Sequence, residues 1–268
     1  MIAETYSNGA LNEMGYCDFG YPNHHALGHH RRQLDDDATF PQPSDKRLDL
    51  RSSKLDRVVR SFAKVYDGRR IDTELLLEAC RALLDLIRGA GSAALRLASR
   101  DLESNLRKVE ASFNDAPHEG RCLSSLLECE KERGLHDGNE LREDSAAMGL
   151  LWIRRSLAFQ SHMYYHSLVL SRGRGKHPRD AASESYDRHL SPYHGWMLRT
   201  VFPASFSQMP GREVFLSKFG EMEMDELDDE REAAVANKLG AFIETLDPLL
   251  DAWRGEFDRL GLEDTRRV

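Results

Sequence analysis

The segment from about Asp144 to Leu170 constrains the fold more than any other. Its middle, Met148-Gly149-Leu150-Leu151-Trp152-Ile153, is apolar on nearly every side. A helix with no polar face has nothing to offer water, so other helices must enclose it. The rest of the chain supplies them. Leu55, Val58, Val59 and Phe62 form one short amphipathic segment. Asp72 or Thr73 caps a second helix, whose apolar face is Leu75, Leu76, Ala79, Leu83, Leu86 and Ile87. Gly89-Ala90-Gly91-Ser92 ends it and caps a third, expected from about Ala93 to Phe113. Leu123, Leu126, Leu127 and Cys129 mark a short helix that breaks at Gly134 to Asn139. Beyond the central helix, Ser171 to Arg179 reads as a basic, Gly-rich connection, and Pro192-Tyr193-His194-Gly195-Trp196 as the opening of a helix. Met209-Pro210-Gly211 is a turn, after which Val214, Phe215 and Phe219 restart the helix. Leu239 to Phe257 repeats at helical spacing across Pro248, a position for a kink. No segment reads as a strand, so the expected class is all-α.

Residues 1–46 stand apart. They carry Gly, Pro, Asn, Tyr and His without a period, and seven acidic residues against three basic ones. They read as a disordered or loosely held tail preceding a helical domain over 47–268. His24, His25, His29 and His30 within them read as polar tail residues before metal ligands. A net charge of −8 disfavours nucleic acid as a partner. No apolar run is long enough for a membrane span, and the first residues lack a secretory pattern. Four scattered cysteines argue for a reducing, cytoplasmic setting. Cys122 and Cys129 read as buried thiols.

Motifs for covalent chemistry are missing. No Gly-x-Ser-x-Gly elbow, phosphate-binding loop or Cys-x-x-Cys pair occurs. His162 and His166 are spaced i, i+4, but without a His-Glu-x-x-His context they read as interior histidines. The expectation is a protein without enzymatic activity, metal or cofactor. The informative polar residues are of another kind. Each residue of a helix turns about 100°, so Asp101, Asn105 and Lys108 share one stripe, bordered by the apolar stripe Leu102, Leu106, Val109 and Phe113. An acceptor, an amide and a cation in line can grip a ligand rich in hydroxyls; a solvated helix edge gives the same pattern. Arg154 and Arg155 follow Trp152 directly, and burying those charges unpaired is expensive. The central helix is therefore expected to reach a polar mouth near Trp152. There an indole can stack on a sugar's C–H face. His194, beside Tyr193 and Trp196, can donate to an amide carbonyl.

In combination these residues resemble the glycolipid transfer protein family, from about residue 70 to the C-terminus. The matching pieces are Asp101-x-x-x-Asn105-x-x-Lys108, Leu150-Leu151-Trp152-Ile153-Arg154-Arg155-Ser156-Leu157 and Tyr193-His194-Gly195-Trp196. The resemblance implies a two-layer helical sandwich enclosing an apolar lipid chamber. It also implies non-enzymatic transfer or sensing of sphingolipids, glycosylceramides first, by a monomer that touches membranes transiently. Asp101 would then accept from the lipid amide N–H and a head-group hydroxyl. Asn105 and Lys108 would bind sugar hydroxyls, Trp152 would stack under the first sugar, and His194 would donate to the acyl-amide carbonyl. Trp196 would dock on the bilayer. The chamber would draw on Leu83, Ile87, Phe113, Leu151, Phe159, Val201, Phe202, Phe206, Phe215 and Phe242. A branch of the family carrying ceramide-1-phosphate replaces the Trp by Arg, places a second Arg one turn earlier and has Lys for Asn105. This chain has Trp152, Met148 and Asn105 there, although Pro210-Gly211-Arg212-Glu213-Val214-Phe215-Leu216 is similar to that branch. Transfer of ceramide-1-phosphate is the alternative function; a helical protein-interaction module without lipid is a further one.

Overall fold

The structure is a computed structural model that describes residues 53–91, 93–171 and 173–267. The N-terminal tail, its four histidines and Ser92 lie outside the described residues. Helix α1 (Lys54–Phe62) is capped by Ser53, whose hydroxyl oxygen accepts from the Asp56 N–H at 3.1 Å. Helix α2 (Thr73–Gly89) is capped by Asp72, which accepts from Leu75 N–H at 3.0 Å. Then follow α3 (Ala93–Asp115), α4 (Leu123–Glu132) and α5 (Ala146–Tyr164). Helices α6 (Pro178–His189), α7 (Trp196–Phe206), α8 (Arg212–Gly220) and α9 (Asp229–Leu260) complete the chain. Only isolated β-bridges occur among the described residues; the fold is all-helical.

Helix α5 is the expected enclosed element. Every one of its residues except Ala158 is buried, and it packs against α3, α4, α6 and α9. Its start is fixed by two acceptors. Ser145 takes the Met148 N–H at 3.1 Å, and the buried Glu130 of α4 takes those of Ala146 and Ala147 at 2.7 and 2.9 Å. These are the donors that a helix N-terminus leaves unpaired. Its end differs from the sequence reading. The segment does not run as α-helix to Leu170; it widens into a π-helical turn over Tyr165–Val169. The cause is competition for its last carbonyls. Arg212 donates to Ser167 O at 2.6 Å and Leu170 O at 3.0 Å, and Lys176 N–H takes His166 O at 2.7 Å. The wider turn leaves these carbonyls to Arg212 and the Lys176 N–H.

Helix α6 has no apolar stripe to announce it. Its buried face is Pro178, Ala181, Ala182, Ser185 and Tyr186, small residues that let it lie close on α5. Ser185 seals the contact by donating to Phe159 O at 2.6 Å. His194 does not begin a helix, as the sequence suggested. It is extended (φ −87°, ψ 136°) between a 3-10 turn, Ser191–Tyr193, and Gly195, the N-cap of α7. Helix α9 passes through Pro248 without ending and stops at Gly261, whose φ of +67° suits glycine. Cys122 and Cys129 are half-buried, not buried.

Candidate functional site

The site grows from the contact between α3 and α5. Gly149 permits it: a Cβ there would meet Asn105 O at 2.6 Å and Lys108 Cβ at 3.2 Å. The two backbones therefore approach closely at the point where α3 carries its polar stripe. Asn105 is buried, and its amide donates to Asp101 O at 3.0 Å and to Asp101 Oδ1 at 3.4 Å. Lys108 lies within electrostatic reach of Asp101, and its ammonium bonds Glu143 at 2.7 Å. Protein atoms crowd the Asp101 carboxyl while the residue as a whole remains exposed to water. Desolvation pushes its pKa up to about 6, with Lys108 and the Asn105 amide pulling the other way.

Trp152 stands one helical turn from Gly149 on the same side of α5. Its indole is 8% exposed and stacks on His194, ring centroids 5.2 Å apart and planes inclined by 28°. His194 is held by Tyr186 of α6, whose hydroxyl lies 3.0 Å from Nδ1. Burial, then the nearby Arg155, lowers the imidazole's pKa to about 4, so the ring is neutral at physiological pH. Arg155 places its guanidinium 3.4 Å from the Tyr193 ring centroid and 5.2 Å from that of Trp152. Neither Tyr186 nor Tyr193 was legible as a site residue. Tyr186 lies in the helix the periodicity missed, and nothing local to Tyr193 shows that a distant arginine will pack on it.

The expectation that Arg154 and Arg155 lead to an open polar mouth is corrected. Both are buried, 6% exposed, and both are paired. Glu263, beyond the end of α9, bonds Arg154 with one carboxylate oxygen and Arg155 with the other, the latter at 3.0 Å. The carboxylate that bridges them lies more than a hundred positions away, which spacing cannot reveal.

Phe202 continues the site inward. It packs on His194 at 5.0 Å and on Tyr186 at 5.7 Å, and it lines an apolar recess. Together with the open space at its mouth the recess has an empty volume of about 370 Å³, and it is lined by Ile87, Leu95, Phe159, Met163, Phe206 and their neighbours. Of the ten residues expected to form a chamber, Ile87, Phe159, Phe202 and Phe206 line it. Leu83, Leu151, Phe215 and Phe242 are packed in solid core, where Phe242 meets Phe62 at 5.1 Å. Phe113 is half-buried near Gly120. Val201 is 48% exposed and lies at the surface. Trp196 is 79% exposed and Met197 59%, on the same helix as Val201. His162 packs against His166 and His189 with centroids 4.4 and 5.4 Å away. Among the described residues no three donors are arranged to hold a metal ion.

This geometry can be set beside known proteins. The family model described as "Glycolipid transfer protein (GLTP)" matches residues 71–221, more than half of the chain. A glycolipid transfer protein of Aureobasidium melanogenum is 28% identical over 197 residues, covering 73% of this chain and 88% of that one. A structure reporting how FAPP2 selects simple glycosphingolipids using the GLTP fold superposes with a TM-score of 0.68 at 21% identity. It covers 81% of this chain and 100% of that one. The mouse ceramide-1-phosphate transfer protein gives the same TM-score at 19% identity, over 79% of this chain and 98% of that one. With the α3 stripe, the α5 indole and the His194 link assembled in one all-helical fold, and the family model spanning them, this chain belongs to the glycolipid transfer protein family.

Proposed function

We propose that this chain carries or senses sphingolipids, with neutral glycosylceramides as its cargo, and performs no covalent chemistry. The observation that carries the reading is the stack of Trp152 on His194, one helical turn from the contact of Gly149 with Asn105 and joined through Phe202 to the apolar recess. A sugar needs a flat apolar face and directional polar partners; a ceramide needs an apolar interior within reach of both.

Each residue has a task that follows from its surroundings. Asp101, ionised above about pH 6, accepts from the amide N–H and from a sugar hydroxyl. Asn105 is oriented by its bonds to Asp101, and with Lys108 it binds sugar hydroxyls. The ammonium has three donors, so its bond to Glu143 leaves two for ligand. Trp152 stacks under the sugar. In the tautomer this role requires, His194 Nδ1 accepts from the Tyr186 hydroxyl 3.0 Å away and the imidazole proton on Nε2 donates to the acyl carbonyl. The recess, even with the open space at its mouth, has far less room than two lipid chains need. Two lipid chains therefore require the recess to widen. Helix α7 is suited to move, because Phe206 is its one buried residue and Pro203 interrupts its hydrogen bonding.

The exposed apolar residues of α7, Trp196, Met197 and Val201, form the surface that meets the bilayer. Contact is transient, made by a monomer at the cytoplasmic side; no described helix is long and apolar enough to cross a membrane. An exposed CH₂ costs about 0.8 kcal/mol in water, so a chamber offered at the membrane surface is what accelerates exchange. A vesicle-to-vesicle assay with galactosylceramide tests the reading. Acceleration over the protein-free control is expected, and its absence would rule the reading out. Ceramide-1-phosphate is the second cargo to try, because Arg155 lies against Trp152.

A further inference from the structure

The chain has a net charge of −8, yet the centre of α5 buries two guanidiniums side by side. Against them stands the carboxylate of Glu263, which bridges both arginines. The next carboxylate, that of Asp264, is already taken. It accepts from Leu141 N–H at 2.9 Å and from Arg266 at 2.6 and 3.1 Å, and only its main-chain oxygen takes Arg155, at 2.5 Å. Although Arg154 and Arg155 are more than nine-tenths buried, the Nε–H of each finds no acceptor. The pair retains donors and positive charge that one carboxylate does not satisfy. Such a fork suits phosphate at least as well as carboxylate.

The position of this pair matters as much as its charge. Arg155 packs on Tyr193 and Trp152, so an anion held by it would sit against the head-group platform. The Glu263 side chain is 26% exposed, so solvent reaches the place it occupies. It is also firmly held. Gly261 turns the chain back, Leu262 is buried, and Arg266 ties the segment to Glu140 and Leu141 O at 2.9 and 3.0 Å. Arg267 reaches Pro192 O at 3.3 Å, on the turn that carries Tyr193.

We propose that Glu263 is a specificity-determining residue: its carboxylate fills an anion site made by Arg154 and Arg155 beside the head-group platform and so excludes phosphorylated head groups. This rests on the sphingolipid-carrier reading. A phosphate entering the site must displace a carboxylate that the folded segment keeps at high effective concentration, and then remain beside it as a like charge. A neutral sugar meets neither penalty.

The test is Glu263→Gln, which keeps the shape and removes the charge. Donor vesicles containing galactosylceramide and ceramide-1-phosphate in competition report the ratio of the two lipids transferred. Intrinsic tryptophan fluorescence reports the same ratio for binding. In the variant the ratio should move toward ceramide-1-phosphate by about tenfold, the order of one charge-assisted hydrogen bond. A folded variant with the parent ratio overturns the inference. If Glu263→Gln does not melt cooperatively, Glu263→Asp, which keeps the charge and withdraws it by one methylene, should move the ratio the same way by less. No movement there also overturns it. Failure of the parent protein to bind or transfer either lipid overturns the carrier reading, and this inference with it; transfer with an unmoved ratio overturns this inference alone.

Discussion

Trp152 has its edge in the core and its ring against His194, and Asp101 has a carboxyl crowded by protein while water still reaches the residue. Each therefore offers a sharp test. Trp152→Ala should abolish galactosylceramide transfer while far-UV circular dichroism stays helical. The melting temperature should fall, since a buried aromatic truncated to Ala costs about 3–5 kcal/mol. Transfer at the parent rate would remove the stacking role. For Asp101 the folded pKa is about 6, raised from 3.8 by desolvation first. A raised carboxyl favours its protonated form, so its contribution is present below the unfolded pKa and is lost as pH rises through about 6. At pH 7.5 the ionised group is a burden on the fold. Asp101→Asn should therefore stabilise the lipid-free protein there by no more than about 1 kcal/mol, because water screens the penalty. The same variant should lose transfer, and the parent's transfer should decline as pH drops below about 6. A variant that melts lower at pH 7.5, or a parent profile flat from pH 7 to 5, contradicts this account.

At the scale of elements, the α3–α5 contact decides whether a site exists. Its gatekeeper is Gly149, where even a methyl group would press on Asn105 O. Gly149→Ala is expected to destabilise the fold by about 1–3 kcal/mol, the range for overpacking. It should also weaken galactosylceramide binding, because Asn105 and Lys108 move with the displaced backbone. A variant as stable as the parent, with the parent's affinity, would show that the helices have slack. Helix α5 was legible because an all-apolar middle has one physical solution, burial. Helix α6 was not, because Ala181, Ala182 and Ser185 dock through smallness and one hydrogen bond to Phe159 O, and neither produces a hydrophobic period. The π-helical turn was equally hidden. It exists because Arg212, distant in sequence, claims the carbonyls of Ser167 and Leu170.

For the molecule as a whole, the question is how a recess of at most 370 Å³ admits a lipid with two chains. Helices that bury little are the ones that open at small free-energy cost. Helix α7 buries Phe206 alone, whereas α5 buries nearly everything. Amide hydrogen exchange should therefore be faster in α7 than in α5 by at least an order of magnitude, and galactosylceramide vesicles should slow α7 selectively. Equal protection of the two helices would place the opening elsewhere.

Sequence alone determined the helical class, the central position of α5 and the identity of the polar stripe. Each of these follows from the side-chain period of a helix, which is a local property. The cap of α2 was readable to within two residues, Asp72 or Thr73, because a capping side chain bonds backbone within its own turn; the structure uses Asp72. Tertiary structure decided the rest. It brought Tyr186 to His194, laid Arg155 between Tyr193 and Trp152, and paired the two arginines with Glu263. It also placed Val201 on the surface and Leu83 in solid core, although both fit an apolar period. Periodicity says which face of a helix is apolar; whether that face meets another helix, a recess or the outside is settled by which elements the chain brings together in space.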